Sequence, residues 1–245
     1  VKQNRTVLAV GLDSLSLAHI KKDIYARPQL IGVVKGLDQA DLMQQFQAKK
    51  GDFITAFKAL EIEQTQQRFK RSLNQEKGIE NLLGVGLDIP SAYRLGMHTE
   101  SFAWIDRAIP SGSSNIIAYA LPYNSFNSPH TFIEDIVAAR DSVVKIHIPG
   151  PDVPGKTTYM KTETVFMPYV TPAEIAGYKG VEIRGIWDIQ NYPMAGPFVA
   201  YILNDPDQDR KIVLEGFVFA PNKEKRTPLF ELEAIIKTLH PILKE

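Results

Sequence analysis

Residues 184–203 read RGIWDIQNYPMAGPFVAYIL, and this stretch decides between a catalytic loop and a strand–turn–strand. An Arg, one of only two Trp, a Tyr-Pro pair and a Gly-Pro pair are crowded together in it. Tyr192-Pro193 and Gly196-Pro197 have the composition of a chain reversal. The runs on either side, 181–188 and 197–203, are strand-like. The stretch therefore reads as a turn between paired strands at the centre of a sheet, with Trp187 and Phe198 in the core or at its rim.

Working outward, residues 158–169 and 211–219 are two further strand candidates, and NDPDQD (204–209) reads as a hairpin turn. Thr227-Pro228 opens a last helix whose stripe is Leu229, Leu232, Ile235, Ile236, Leu239 and Leu243. Upstream, 83–89, 102–105 and 116–121 are strand-like. Ser128-Pro129 opens a helix, Ser as N-cap, with an apolar face of Phe132, Ile133, Ile136, Val137, Val143 and Val144. Pro149, Pro151 and Pro154 mark a loop. Near the start, 6–12 (TVLAVGL) and 30–34 (LIGVV) read as buried strands. Asp38, with Asp41 three residues on, caps a helix whose stripe is Leu42, Phe46, Phe53, Phe57 and Leu60, and Gly51 is a candidate break in it. VLAVGLD and LLGVGLD read as one device used twice, a buried strand stopped by Gly-x-Asp. The texture changes after Gly78. The expected organisation is an N-terminal strand–strand–helix subdomain over 1–80 and a C-terminal domain over 81–245. The expected fold class is α+β, a mainly antiparallel sheet with helices packed on it.

Composition narrows the function classes. The chain has 245 residues, 44% hydrophobic and 23% charged, enough for a real core. Lys plus Arg and Asp plus Glu are 28 each, without the basic excess of a protein that grips nucleic-acid backbone. There is no Cys, which excludes disulfides, thiolate metal sites and Cys nucleophiles. No run approaches the roughly 20 apolar residues that span a bilayer, and no signal peptide is visible, so any export signal or anchor is expected upstream of Val1.

GPDVPGKT (150–157) satisfies the phosphate-loop pattern in letters. Its physics is wrong: Pro151 and Pro154 remove two backbone donors, and TYMKTETVFM after it alternates like a strand instead of starting a helix. Nucleotide binding there is the least favoured reading. The five His, at 19, 98, 130, 147 and 240, have no metal-ligand spacing, and no G-x-S-x-G nucleophile elbow is present. No cofactor or metal is implied. Asp135 and Arg140 read as surface charges. Glu163, Glu182, Arg184, Asp188 and Glu215 all fall on strand candidates, with Glu182 and Arg184 on one side of theirs. They make either an ion-paired sheet face or a polar pocket that Trp187 and Tyr192 line. The candidate binding set is Arg184, Trp187, Asp188, Tyr192, Glu163 and Glu215.

RGIWDIQNYPMAGPFVAY, then VLEGFVFAPNKEKR, then LFELEAIIKTL resemble an uncharacterised family of bacterial envelope lipoproteins, domain of unknown function 4837. LDIP (87–90), AARDSV (138–143), the PGP loop (149–151) and YMKTE (159–163) extend the resemblance over most of the chain. Ala195 and Ala200 stand where the family has Gly and Ser. The resemblance implies a lipid anchor before Val1 and a place in the cell envelope; it supplies no activity, ligand or catalytic residue. The order of elements over 81–245 is also similar to the PsbP/Mog1 sandwich, a likeness of fold only. The expected function is a non-enzymatic binding or assembly module for an envelope protein or a small ligand, touching no nucleic acid and meeting the membrane only through its anchor. The alternative is a hydrolase or transferase built around Arg184.

Overall fold

Asp38 starts the longest element of the protein. Its carboxylate accepts the Asp41 N–H at 2.8 Å, and the Asp41 carboxylate accepts the Leu37 N–H at 2.8 Å. Helix α1 (Gln39–Phe69) then runs unbroken for 31 residues. Gly51 does not divide it, because a mid-helix Gly costs only about 1 kcal/mol and this one is exposed, with open space where a side chain would stand. The structure, a computed structural model, describes residues 3–126, 128 and 130–242, and the chain divides into two compact units, Val1–Arg68 and Phe69–Glu245.

In the smaller unit, β1 (Thr6–Leu12), β2 (Leu17–Lys22) and β3 (Leu30–Gly36) form a sheet in the order β1-β3-β2. β1 runs parallel to β3 and β2 antiparallel to it. Glycine is required at Gly36, where a Cβ would lie 2.4 Å from the Leu42 nitrogen; its absence lets β3 turn straight into α1. β3 is buried as expected, but β1 is not. It is an edge strand, exposed from Leu8 onward, while Phe53 of α1 lies over Gly32 of β3. β2, read as LAHIKK, is too short and polar to announce itself.

In the larger unit the polar stretch after α1 joins the fold: Leu73 bridges Pro90, and the Asn74 N–H donates to the Ile89 carbonyl at 2.7 Å. The boundary therefore falls at 68/69, ahead of the change in sequence texture. Helix α2 (Gly78–Leu83) is closed by Gly84, whose φ of 64° suits a left-handed cap. β4 is only Val85–Gly86. The expected strand over 83–89 is thus a helix end plus a two-residue strand, and the two look-alike heptads are different devices.

The main sheet contains β5 (Arg94–His98), β6 (Phe102–Ile109), β7 (Gly112–Pro122), β8 (Met160–Thr162), β9 (Tyr169–Ile175), β10 (Tyr178–Ile189), β11 (Tyr192–Asp205) and β12 (Arg210–Phe219). The order is β5-β6-β7-β12-β11-β10-β8, with β9 also on β10, and every pair is antiparallel. The expected α+β class with a mainly antiparallel sheet is what forms. The expected strand over 158–169 splits in two. β10 takes β8 against Trp187–Ile189 and β9 against Tyr178–Arg184 along the same outer edge, and the segment between them, held at Glu163 by the Ile186 carbonyl and at buried Pro168, is exposed over 164–167. The reversal between β10 and β11 is made at Gln190–Asn191, with Asn191 at φ 61°. The Tyr-Pro and Gly-Pro pairs lie inside β11 instead, Pro197 one residue before the ladder to β12 begins at Phe198↔Phe217.

Two helices cover the sheet. Helix α3 (Phe132–His147) starts at Phe132, not after Ser128: the Thr131 hydroxyl pairs with Asp135 at 2.9 Å, and Pro129 lies outside the described residues. Helix α4 (Arg226–Ile236) carries Pro228 in its first turn, where no helix bond is lost; Leu243 of its expected stripe lies outside the described residues. His240–Pro241 (β13) pairs with β4. Adjacent residues of β12 face opposite helices. Glu215 reaches Arg140 of α3, and Gly216 brings α4 so close that a Cβ there would lie 2.6 Å from the Leu232 Cβ. A strand covered on both faces is buried almost throughout, hence the near-continuous apolar run IVLEGFVF.

Candidate functional site

The sheet divides the expected site in two. Alternation along β10 puts Glu182 and Arg184 on the α4 face and Ile183 and Trp187 on the α3 face. Register carries the faces across: Arg184 pairs with Val199 and Val199 with Gly216, whereas Ala200 pairs with Glu215. Glu215 is therefore behind the sheet from Arg184, and the two build separate clusters.

On the α3 face, Glu215 is fully buried and holds Arg140 through two bonds, Nε–Oε2 at 2.8 Å and Nη2–Oε1 at 2.7 Å. The Arg140 Nη1 donates to the Thr162 hydroxyl at 2.9 Å, and that hydroxyl donates to Asp141 at 2.7 Å. The guanidinium carbon stands 4.2 Å from the Phe198 ring centroid. Burial works against the Arg140 charge, and the Glu215 carboxylate more than offsets it, so the pKa lies above the ordinary guanidinium value. Arg140, expected on the surface, is the most enclosed cation described. Its position should have shown this: Ile136, Arg140 and Val144 recur at every fourth residue, one buried stripe.

On the α4 face, Arg184 bonds Glu182 and Glu233, each at 2.5 Å. The Tyr201 hydroxyl donates to Glu182 at 2.6 Å, and Lys237 pairs with Glu233 at 3.0 Å. Two acids meet two bases. Here the sequence placed Glu182 beside Arg184 correctly and missed Glu233, a charge in the middle of the buried run LEAII, where a paired acid is the usual occupant.

The other expected residues disperse. Trp187 is fully buried against Phe217, ring centroids 5.8 Å apart, so it is part of the core. Asp188 pairs with Lys161 at 3.3 Å, and its other oxygen is buried without a partner among the described residues. Glu163 closes a turn by accepting the Val165 N–H at 2.7 Å. Tyr192 is exposed at the start of β11. At GPDVPGKT the Lys156 N–H donates to the Val153 carbonyl at 3.1 Å, Gly155 has φ 71°, and the chain proceeds into β8. That is a closed turn feeding a strand, without the helix start a phosphate loop needs. Among the described residues no cluster of His, Asp or Glu is placed to hold a metal, and no helix is long and apolar enough to cross a membrane.

Three buried phenols give a measurable electrostatic signature. Burial, joined by Glu231, Glu215 and Glu233 respectively, raises the pKa of Tyr93, Tyr119 and Tyr201 above the ordinary value of 10.0. A raised phenol pKa contributes stability that is complete below the unfolded value and lost as pH rises past it. The melting temperature is expected to fall steeply above about pH 10, with three of the nine Tyr gaining phenolate absorbance only as the protein unfolds. Ionisation of all nine in the folded state would contradict this.

No curated protein matches the chain. Among solved structures it is similar to the Saccharomyces cerevisiae Ran-binding protein Mog1p, at 7% identity over 65% of this chain and 90% of that one, with a TM-score of 0.38. It is also similar to LpqN, described as involved in cell envelope biogenesis of Mycobacterium tuberculosis, at 15% identity over 63% of this chain and 81% of that one, with a TM-score of 0.38. Residues 1–70 match the model of a domain of unknown function, DUF8532. Residues 72–238, the greater part of the chain and the whole of the two-cluster sheet, match the model of the domain of unknown function DUF4837, and the chain belongs to that family.

Proposed function

We propose that this chain is a non-enzymatic binding module of the bacterial cell envelope, lipid-anchored ahead of Val1, that holds a partner protein at the outer edge of its main sheet. The observation that carries this is the stretch that leads from the β8–β9 connection into the first residue of β9. It reads VFMPY over 165–169, and Val165, Phe166 and Tyr169 are 79%, 68% and 80% exposed. Exposed aromatic and aliphatic groups close together, here on either side of buried Pro168, are the mark of a recognition surface. Both ends of the run are fixed to β10, so little ordering entropy is lost when a partner covers it. The charged clusters support the same reading, because Arg140, Arg184, Glu182 and Glu215 are each engaged with a neighbour of opposite charge. The envelope address and the anchor rest on the resemblance of the C-terminal motifs to envelope lipoproteins.

The test is photo-crosslinking in intact cells of the anchored full-length protein, with the photoreactive residue at Phe166 and, separately, at exposed Asn222. One or two reproducible envelope proteins captured from 166 and absent from 222 are expected. Capture of the same proteins from both positions, or of none from 166, would sink the reading.

A further inference from the structure

The free edges of the two larger sheets are blunted, except one. β9 carries Pro172, β5 carries Arg94 and a register shift between Leu95 and Met97, and β2 ends in Lys21-Lys22. These are the ordinary protections of an edge strand. β1, TVLAVGL, has no Pro, no charge and no bulge, and pairs β3 in unbroken register over seven residues. β1 is bonded on one side only, since β3 is its sole neighbour in the sheet.

The hydrogen bonds fix which backbone groups look outward. The Arg5 carbonyl accepts from Leu30 at 2.8 Å, and the Asp13 N–H donates to Gly36 at 2.9 Å. Odd-numbered residues of β1 therefore bond β3, and the N–H and C=O groups of Thr6, Leu8, Val10 and Leu12 point away from it. The side chains of these even residues lie on the α1 face, because Leu8 and Phe53 would both touch a Cβ built on Gly32. Leu8, Val10 and Leu12 are 42%, 54% and 60% exposed there, and Met43 and Ile54 of α1 are 57% and 65% exposed. Those two lie on the flank of α1 nearest β1. Glu61, two helical turns beyond Ile54, pairs with Arg5 at 3.8 Å, and Met43 is three turns before Ile54. The opposite flank, at Ala56, Ala59 and Glu63, faces Ile20 and Lys22 of β2.

We propose that β1 joins the β1 of a second copy of this chain, antiparallel, to make one six-stranded sheet with both α1 helices on the same face. Three features select a second copy. The outward bonding groups are self-complementary about Ala9: Leu8 meets Val10 of the other copy and Thr6 meets Leu12, each an outward-pointing pair that exchanges two backbone bonds. The strand carries no charge, so two copies meet without like-charge repulsion. The five exposed side chains offer roughly 500 Å² per copy, and with the strand backbones the pair reaches the roughly 1,200 Å² at which stable interfaces begin. Ala9 then faces its own counterpart as a non-hydrogen-bonded pair, about 4.5 Å apart at Cα, within the range a disulfide bridges.

The chain has no Cys, so one introduced thiol reports on one contact. The full chain is expected to sediment at about twice 27.4 kDa at high concentration. Val10→Asp is expected to be monomeric with a melting temperature near that of the parent's dissociated form, because Val10 is exposed in the single copy. Under mild oxidation Ala9→Cys is expected to form a disulfide-linked dimer and Leu12→Cys, far from its own counterpart in this register, is not. A parent that stays monomeric at every concentration overturns the proposal. So does a Val10→Asp protein that still dimerises, or a dimeric Ala9→Cys protein that does not crosslink; if Val10→Asp fails to fold, the two thiol variants decide.

Discussion

Replacing Glu215 with alanine is expected to remove about 3–5 kcal/mol of stability, the cost of leaving a buried partner charge uncompensated. Against a total of about 5–15 kcal/mol for a typical domain, much of the protein would be unfolded at moderate temperature. The reason is the site of the Arg140 guanidinium. It is enclosed between α3 and the sheet, its charge is retained, and Glu215 supplies its two short carboxylate bonds, while Asp141 stands 3.3 Å from Nη1. Thr162 and the Phe198 ring cannot replace a negative charge, and the half-buried Asp141, on one longer contact, replaces it only in part. The pair itself is a different matter: Arg140→Met together with Glu215→Leu is expected to recover most of the loss, because two buried ions exchanged for two apolar groups give up little net energy. Urea melts of the two single variants and the double variant form a cycle, and the coupling between the sites is the quantity to read. Additive single losses would show that the pair does not act as a unit.

Trp187→Ala is expected to cost a similar amount, about 3–5 kcal/mol. Trp187 packs edge-on to Phe217 and beneath Gly196, where a Cβ would lie 2.9 Å from the indole ring and 2.1 Å from the Val218 carbonyl oxygen. Its absence lets β11 pass directly over the ring, so removal of the ring leaves a cavity the strands cannot close. Trp187→Phe is the informative variant. The indole N–H has no hydrogen-bond partner among the described residues, so phenylalanine forfeits volume without breaking a bond, and about 1–2 kcal/mol is expected. A Phe variant as unstable as the Ala variant would mean that the indole nitrogen has a partner after all.

The parts of the fold legible in the sequence are those where one chain segment carries its own signal. β10, β11, β12 and α4 were readable because alternation, a continuous apolar run and a helical stripe are local patterns. The site was not legible, because it depends on which strands pair. Alternation alone shows that Glu182 and Arg184 share a face; only the ladders through Val199 and Ala200 show that Glu215 is behind them. β1 misled for the same reason. TVLAVGL and LIGVV are equally apolar, and only the strand order makes one an edge and the other a centre. Arg140 reads as a surface charge by residue type alone, but its fourfold spacing with Ile136 and Val144 places it in the buried stripe.

The neighbouring residues Glu215 and Gly216 also bear on how the chain avoids wrong structures. In a sheet covered on both faces by apolar layers, a strand can slide by one residue with little hydrophobic penalty, since leucine and valine fit either side. β12 has no such freedom. A slip one way would drive the Glu215 carboxylate into the Leu232 side chain and present Arg140 with Leu214; a slip the other way would present Arg140 with Gly216, which has no side chain, and drive Phe217 into Leu232. The misaligned sheet would carry two uncompensated charges and a steric collision, while the aligned one carries none. The pair thus acts as a pawl during assembly of the central strands. Its contribution would be visible in the yield of correctly folded protein on dilution from denaturant, even in the double variant whose equilibrium stability is restored.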